Sequence, residues 1–437
     1  MKVFVWTFGC SANQADSQLM KTLIKRSRDY QLVDNLSEAN VVIINSCTVK
    51  QNAETKFWKS IRICLEQGKK VIAAGCVPQA DENAVRKLIG QDISIIGVRD
   101  VDKVLDALDT ISKGGLFIAR SSSMKSFHSI RISPESVIGI VPINEGCLGN
   151  CSYCKTKFAR GNLLSYQPKL ILKQIENLLS LDVKEIWITS QDTGAYGYDF
   201  CYNPKYLLLN LLKDILTFDK DFRIRIGMMN PNSAVGIIDE LLYLMKRDKR
   251  IFKFLHIPIQ SASDHVLADM NRRYDSKIIY QLFSKIRNFD EMLTLSTDVI
   301  CGFPTENDAD FEQTLKFISR FQPDIINISR FWPRPGTKAA ELRPLYNQIP
   351  IRRARELGTL FNSYSLARQK RWLGWEGLAL VDEVGKNNSV IARNDYYKQI
   401  VIKTPKNSNE FLNKLIGSFV QVEIKDATCV DLRANLV

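Results

Sequence analysis

The chain has 437 residues, 45% hydrophobic and 24% charged, a balance that excludes a disordered or fibrous protein and suits roughly two to four folded domains. No apolar run approaches the ~18 residues of a membrane-spanning helix, and the start, Met-Lys-Val-Phe-Val-Trp-Thr-Phe-Gly-Cys, is too short an apolar stretch for a signal peptide. A cytoplasmic protein without membrane association is therefore expected; there, ten cysteines argue for metal or redox chemistry rather than disulfides, and a formal charge of +13 favours a polyanionic partner such as nucleic acid.

In the first third, strand patterns fall at 3–8, 41–46 and 70–75. Leu19, Leu23 and Ile24 keep helical spacing after a Ser11/Asn13 start, and 53–66 and 78–89 also read as helices, the latter running from Pro78 to a stop at Gly90. This alternation predicts a parallel sheet covered by helices, with the carboxyl ends of its strands facing one crevice. Cys10, Cys47 and Cys76 each follow a strand, so three thiolates are expected at one edge, a cluster site one ligand short. Buried cysteines that merely end strands are the plain alternative, and Cys64, inside a helical stretch, reads as packing. Gly-Cys-Ser-x-Asn-x-x-Asp-Ser at 9–17 and Asn-Ser-Cys-Thr-Val at 45–49 resemble the amino-terminal domain of methylthiotransferases. The resemblance implies that the three cysteines hold an auxiliary 4Fe-4S cluster that handles sulfur. Asn13, Asp16 and Asn45 would then surround it, or else serve as caps and turn formers.

The middle section opens with Gly-Cys-Leu-Gly-Asn-Cys-Ser-Tyr-Cys at 146–154. Tetrahedral zinc usually takes four protein ligands, often as two Cys-x-x-Cys pairs, and no second pair lies nearby. Three cysteines on a four-iron cluster leave one iron open. The gaps of three and two, with Tyr153 before the last cysteine, resemble the radical S-adenosylmethionine (SAM) signature. In that superfamily the open iron chelates SAM and an electron from the cluster releases a 5′-deoxyadenosyl radical.

Strand candidates follow at 137–143, 184–190, 222–228, 252–258, 293–301 and 325–332, with helices at 168–181, 205–217, 234–247, 276–288 and 307–320. Six units are too few for a closed eight-unit barrel, so an open, partial (β/α)6 barrel is expected, the fold of radical SAM enzymes. Tyr153, Gln191, Asn230, Gln260 and Asp298 stand at the cysteine loop or at strand ends where that family binds SAM, with turn or loop-anchoring roles as the alternative. His256 reads as a packing residue, Cys301 as a core thiol, and Cys201 has no partner. Lys155, Lys157 and Arg160 follow the cysteines directly and are placed to steer a phosphate backbone; Arg272, Arg273 and Arg334 are further candidate substrate contacts. Cys-Lys-Thr-Lys-Phe-Ala-Arg-Gly at 154–161, Ser-Gln-Asp-Thr-Gly-Ala-Tyr-Gly at 190–197 and Gly-Met-Met-Asn-Pro at 227–231 resemble the archaeal and eukaryotic branch that modifies N6-threonylcarbamoyladenosine in tRNA. The usual histidine of that branch is Phe158 here.

A basic helical stretch at 343–371 leads to short strands at 378–384, 389–394, 398–403, 419–425 and 429–434, a small, partly open β-barrel of a kind that holds RNA. It resembles a TRAM domain, with Tyr396, Tyr397 and Lys398 offering stacking and charge. The domains expected are 1–112 (a parallel α/β sheet, auxiliary cluster), 133–366 (the partial (β/α)6 radical SAM core) and 368–437 (the small all-β TRAM barrel). Together the resemblance implies two 4Fe-4S clusters, SAM, a reductant and a sulfur source, with methylthiolation at carbon 2 of N6-threonylcarbamoyladenosine beside the tRNA anticodon. The rivals are isopentenyladenosine tRNA or a ribosomal-protein aspartate as substrate, and a non-catalytic iron–sulfur RNA-binding protein or electron carrier.

Overall fold

The structure is a computed structural model that describes residues 1–49, 51–81, 93–134, 136–200, 207–403 and 414–437. Most of the expected helix beyond Ala80, the expected helix start at 205–206, and Cys201 lie outside the described residues.

The first domain is a six-stranded parallel sheet in the order β2-β1-β3-β4-β5-β6. Its strands are β1 (Lys2–Phe8), β2 (Gln31–Leu32), β3 (Val41–Ser46), β4 (Lys70–Gly75), β5 (Ile93–Gly97) and β6 (Ile118–Ala119). Every residue of β3 is buried, as a central parallel strand covered on both faces requires. The helix Ser11–Arg26 covers one face with Ala15, Leu19, Met20 and Ile24, and Gln51–Glu66 covers the other with Phe57, Ile61 and Cys64. Cys64 is therefore a packing residue.

The second domain carries β7 (Ile138–Pro142), the short antiparallel pair β8 (Asn144–Glu145) and β9 (Leu164–Ser165), β10 (Glu185–Thr189), β11 (Arg223–Ile226), β12 (Phe254–His256), β13 (Thr294–Cys301) and β14 (Ile325–Arg330). Two parallel three-stranded sheets, β7-β10-β11 and β12-β13-β14, are joined by a bridge at Ile224 and Ile251 and by Met229 N–H donating to the His256 carbonyl at 2.9 Å. Helices alternate with the strands, so six strands curve into a half-barrel with every carboxyl end at one rim. The Ser11–Arg26 helix also packs on β7, and one apolar core runs from Val3 and Leu19 through Ile140 and Ile186 to Leu295.

The long helix Gln348–Lys370 covers β14. It starts later than the sequence pattern at 343 implied, because Pro344 disfavours helical backbone at Arg343. The last domain is β15 (Glu376–Val384), β16 (Ser389–Arg393), β17 (Gln399–Lys403), β18 (Phe419–Ala427) and β19 (Leu432–Leu436). The barrel is closed rather than partly open: β19 pairs parallel with β17 at Ile400 and Leu432, and β18 returns to β15. Among the described residues no helix is long and apolar enough to cross a membrane.

Candidate functional site

β1, β3 and β4 are adjacent and in register, with Phe8 opposite Ser46 and Ser46 opposite Gly75. Their carboxyl ends therefore deliver Cys10, Cys47 and Cys76 to one level of one edge. Cys47 and Cys76 are buried and Cys10 opens to solvent. Their thiols form a hydrogen-bonded chain with Cys47 in the middle. The Cys47 hydrogen bond, aided by the Arg160 charge and opposed by burial, lowers Cys10 to about 6. Cys76 is lowered by the same causes, and Cys47 is correspondingly raised. Asn13 accepts from Cys10 Sγ at 3.4 Å and donates through Nδ2 to Asn45 Oδ1 (3.1 Å) and the Ser46 carbonyl (2.8 Å). Asn45 Nδ2 donates in return to the Asn13 carbonyl at 2.8 Å. Gly75 at φ +94° is needed here, because a Cβ would stand 2.3 Å from Asn45 Oδ1.

The second trio, Cys147, Cys151 and Cys154, occupies the loop after β8 at the half-barrel rim. Gly149 donates its N–H to Cys147 Sγ at 3.2 Å. A Cβ on Gly149 would lie 3.4 Å from Cys147 Sγ and 3.7 Å from Cys151 Sγ, so glycine keeps the space beside both sulfurs open. Arg272 joins this loop to the barrel: Nη1 donates to Cys151 Sγ (3.2 Å) and Tyr153 Oη (3.4 Å), and Nη2 to Asn230 Oδ1 (2.7 Å). Asp192 accepts from Asn230 Nδ2 at 2.9 Å, its backbone N–H at 3.0 Å and Ser233 Oγ at 2.7 Å. Beside Asp192, the buried Gln191 Oε1 has no hydrogen-bond partner among the described residues.

Each trio offers soft sulfur donors and nothing else. Among the described residues no group of three or more His, Cys, Asp or Glu side chains is disposed to bind one metal ion. All-sulfur sets of three suit an iron–sulfur cluster, where each thiolate takes a different iron.

The helix Thr156–Arg160 bridges the two trios. It begins two residues after Cys154, and its Ala159 packs on Cys76 and Val98. Arg160, 1% exposed, donates to Glu145 through Nη1 and to Asp16 through Nη2, each at 2.8 Å. Lys125 pairs with the same two carboxylates, Glu145 at 2.6 Å and Asp16 more closely still. Two cations and two carboxylates thus close a buried ring that fastens the first domain to the second beside Cys76.

Family models match in the same order: "Uncharacterized protein family UPF0004" over residues 2–97, the "Radical SAM superfamily" over 141–318 and the "TRAM domain" over 373–437. Relatives named probable threonylcarbamoyladenosine tRNA methylthiotransferase include one from Pyrococcus horikoshii, 33% identical with 100% of both chains covered, and one from Archaeoglobus fulgidus, 38% identical over 98% of this chain and 96% of the relative. The chain belongs to the threonylcarbamoyladenosine tRNA methylthiotransferase family. A Danio rerio member is 38% identical over 97% of this chain and 76% of its own. Among solved structures, the cobalamin-binding radical SAM methyltransferase TsrM from Kitasatospora setae shares the fold, with a TM-score of 0.55, 13% identity, and 77% of this chain and 76% of that one covered.

Within that family frame, the structure relocates most residues expected to meet RNA. Arg160 is buried in the charge ring rather than facing a phosphate. Lys155 is buried and donates to the Pro335 carbonyl at 2.6 Å; half-buried Lys157 donates to the Cys147 carbonyl at 2.6 Å. Arg334 is buried between Glu54 (2.6 Å) and the Val49 carbonyl (3.1 Å). Lys398 is buried against Asp324 at 2.8 Å, and Tyr396 takes the Lys253 ammonium on its hydroxyl at 2.9 Å, so both dock the last barrel onto the second domain. Tyr397 likewise packs edge-on and tilted against Phe252 and Phe254 of the half-barrel. A buried cation needs an opposite charge or carbonyls, and each basic residue here has found one inside the protein.

The cofactor candidates lie nearer one another. Asn230 joins Asp192 to Arg272, while Asp298 accepts from Asn327 Nδ2 at 2.7 Å and meets His256 Nε2 at 3.0 Å. Gln260, at φ +63°, donates its N–H to the Asp298 carbonyl at 2.8 Å. Tyr153 packs with Val266, Met270 and Phe303. Asp192, Glu145 and Lys125 were missed. Lys125 lies in a stretch with no helical or strand period, so only the three-dimensional path brings it to Asp16. Arg272 was assigned to substrate; its contact with Cys151 spans 121 residues of sequence.

Proposed function

We propose that this chain methylthiolates carbon 2 of N6-threonylcarbamoyladenosine at position 37 of tRNA as a radical SAM enzyme in the cytoplasm. The observation that carries the reading is the pair of three-sulfur sites bridged by one five-residue helix. Cys147, Cys151 and Cys154 would hold one 4Fe-4S cluster, and Cys10, Cys47 and Cys76 the other. When bound, the first with SAM supplies a hydrogen-abstracting radical, and the second supplies sulfur that a further SAM methylates.

The protein's own part is positioning. Arg272 holds Cys151 toward Asn230 and Asp192, fixing the cysteine loop on the carboxyl ends of the strands. Gln191, Asn230, Gln260 and Asp298, with Tyr153 beside them, would take SAM, the orphaned Gln191 oxygen serving as acceptor for an ammonium or hydroxyl group. The charge ring sets the spacing of the two sulfur sites, and the closed terminal barrel extends the surface for tRNA. An electron donor and a sulfur source complete the requirements.

Nucleoside mass spectrometry of tRNA from a deletion strain tests the substrate. Loss of the 2-methylthio form with accumulation of its precursor is expected. An unchanged profile, or loss of methylthio-isopentenyladenosine instead, refutes the assignment.

A further inference from the structure

The basic residues buried near the sulfur sites act as stitches. Lys155 ties the Thr156–Arg160 helix to Pro335, and Lys157 ties it to Cys147. Arg334 ties the segment after β14 to Val49, two residues past Cys47, and Ala339 N–H donates to the Ser152 carbonyl at 2.9 Å. A Cβ built on Gly336 would lie 4.0 Å from both the Phe158 ring and Lys155 Nζ. Three loops, one beside each sulfur site and one from the last strand of the half-barrel, are thus sewn into a single rim.

That rim exposes what stable folding would hide. Phe158 is 51% exposed and Trp332 48%. Val49 and Leu148, next to the two cysteine trios, are exposed as well. The Lys155 ammonium lies 5.4 Å from the Phe158 ring centre, holding the ring from beneath. Arg330, at the end of β14, and Lys338, at the far end of the same segment, are exposed and make no ion pair among the described residues.

We propose that Phe158 and Trp332 form a stacking platform that receives unpaired bases of an RNA loop, with Arg330 and Lys338 meeting its phosphates. This rests on the tRNA reading above and supplies the contacts that Arg160, Arg334 and Lys398 do not. Exposed planar apolar faces and exposed cations on one segment suit single-stranded RNA, because every base has a face to stack and every link carries a negative charge. The surplus of basic residues, +13 over the chain, matches that occupant in sign. Phe158 also stands four residues after Cys154, on the cysteine loop toward which a loop base must be splayed out to react.

The test uses the full-length protein, anaerobically reconstituted, and a fluorescein-labelled RNA stem-loop with an unpaired adenosine-containing loop, against a fully paired duplex of the same length. Fluorescence anisotropy is expected to show about 5- to 100-fold weaker stem-loop binding for Phe158→Ala and Trp332→Ala. Duplex binding and iron content should stay unchanged, and Phe158→Tyr and Trp332→Phe should retain affinity. Tyr243→Ala, which removes a comparably exposed aromatic (54%) on the remote Ile238–Arg247 helix, should bind as wild type. Arg330→Gln and Lys338→Gln should weaken both RNAs and reduce the salt slope by about one each.

Wild-type stem-loop affinity in the two alanine variants overturns the platform, as does an equal loss for duplex. So does a concentration-dependent dimer that the same variants abolish while RNA binding persists, since the rim would then join two copies of the chain. Aromatic-dependent binding in a protein that leaves tRNA unmethylthiolated would refute the proposed reaction and leave the platform standing.

Discussion

Replacing Arg160 by Met leaves Asp16 and Glu145 facing Lys125 alone, two carboxylates against one ammonium with side chains 0–2% exposed. Side chains this deeply buried leave the variant with an uncompensated buried charge, which costs about 3–5 kcal/mol. That is a large part of the ~5–15 kcal/mol by which domains are stable. Glu145→Gln alone should cost a similar amount, since two cations would then face Asp16. The double variant Arg160→Met/Glu145→Gln keeps one cation and one anion, Lys125 with Asp16, and restores neutrality. It should therefore be destabilised by clearly less than the sum of the single changes, with a coupling of about 2 kcal/mol or more. Urea unfolding of the metal-free protein, followed by tryptophan fluorescence and by hydrogen exchange in the Ser11–Arg26 helix, measures all four corners of this cycle. Additive losses, or single losses below about 1 kcal/mol, would show that the ring does not act as a unit and refute the argument.

Wild-type protein purified anaerobically should carry about eight irons, and each triple alanine variant, Cys10/Cys47/Cys76 or Cys147/Cys151/Cys154, about four, at four irons per cluster; an unchanged content in either variant removes that trio as a ligand set. Gly75→Ala should destabilise by about 1–3 kcal/mol from the left-handed backbone alone and displace Asn45, so that iron content falls while the second trio still loads; full loading would contradict the crowding of 2.3 Å at that Cβ. His128 is pushed down to about 4 by burial, against the help of the Pro142 carbonyl. A base with a lowered folded pKa binds its proton in the unfolded chain first, so its stabilising contribution is complete above pH ~6.5 and is lost as pH falls toward 4. His128→Phe should flatten denaturation midpoints across that window, and an unaltered slope would count against it. Glu145 would be raised by burial, yet Lys125 and Arg160 hold it at about 2. Its contribution persists above pH ~4.3 and fades as pH falls toward 2, so Glu145→Gln should remove part of the acid sensitivity there.

Strand-ending cysteines were legible because a parallel sheet turns sequence order into spatial order: once β1, β3 and β4 are placed, Cys10, Cys47 and Cys76 have nowhere else to emerge. The half-barrel was legible for the same reason, through alternating short apolar runs and amphipathic helices. β2 and β6 were not, since two-residue strands carry no period. Closure of the last barrel depends on the parallel pairing of β17 with β19, a long-range register that composition does not encode. The basic residues were misread for a different reason. Sequence gives the charge of Arg160, Arg334 and Lys398, but their partners Asp16, Glu54 and Asp324 lie 144, 280 and 74 residues away, and exposure depends on those partners.

The misreading has a physical logic that bears on how the site works. A cation that joined the cysteine loop to RNA would need to be exposed and free to move. The cations beside the sulfur sites are instead dehydrated and paired, and the Arg160 charge adds from within the protein to the Cys47 hydrogen bond that lowers the Cys10 and Cys76 thiols. Rigid spacing of the two trios and a mobile phosphate contact are competing uses of one side chain, and burial has settled the competition in favour of spacing. Recognition is left to groups that rigid packing exposes, the Phe158 and Trp332 rings, whose two side-chain torsions make them inexpensive to hold still. An enzyme that must bring sulfur to one carbon of one base gains more from a fixed distance between its sulfur sites than from another phosphate contact, because misplacement of about 1 Å can cost on the order of a hundredfold in rate.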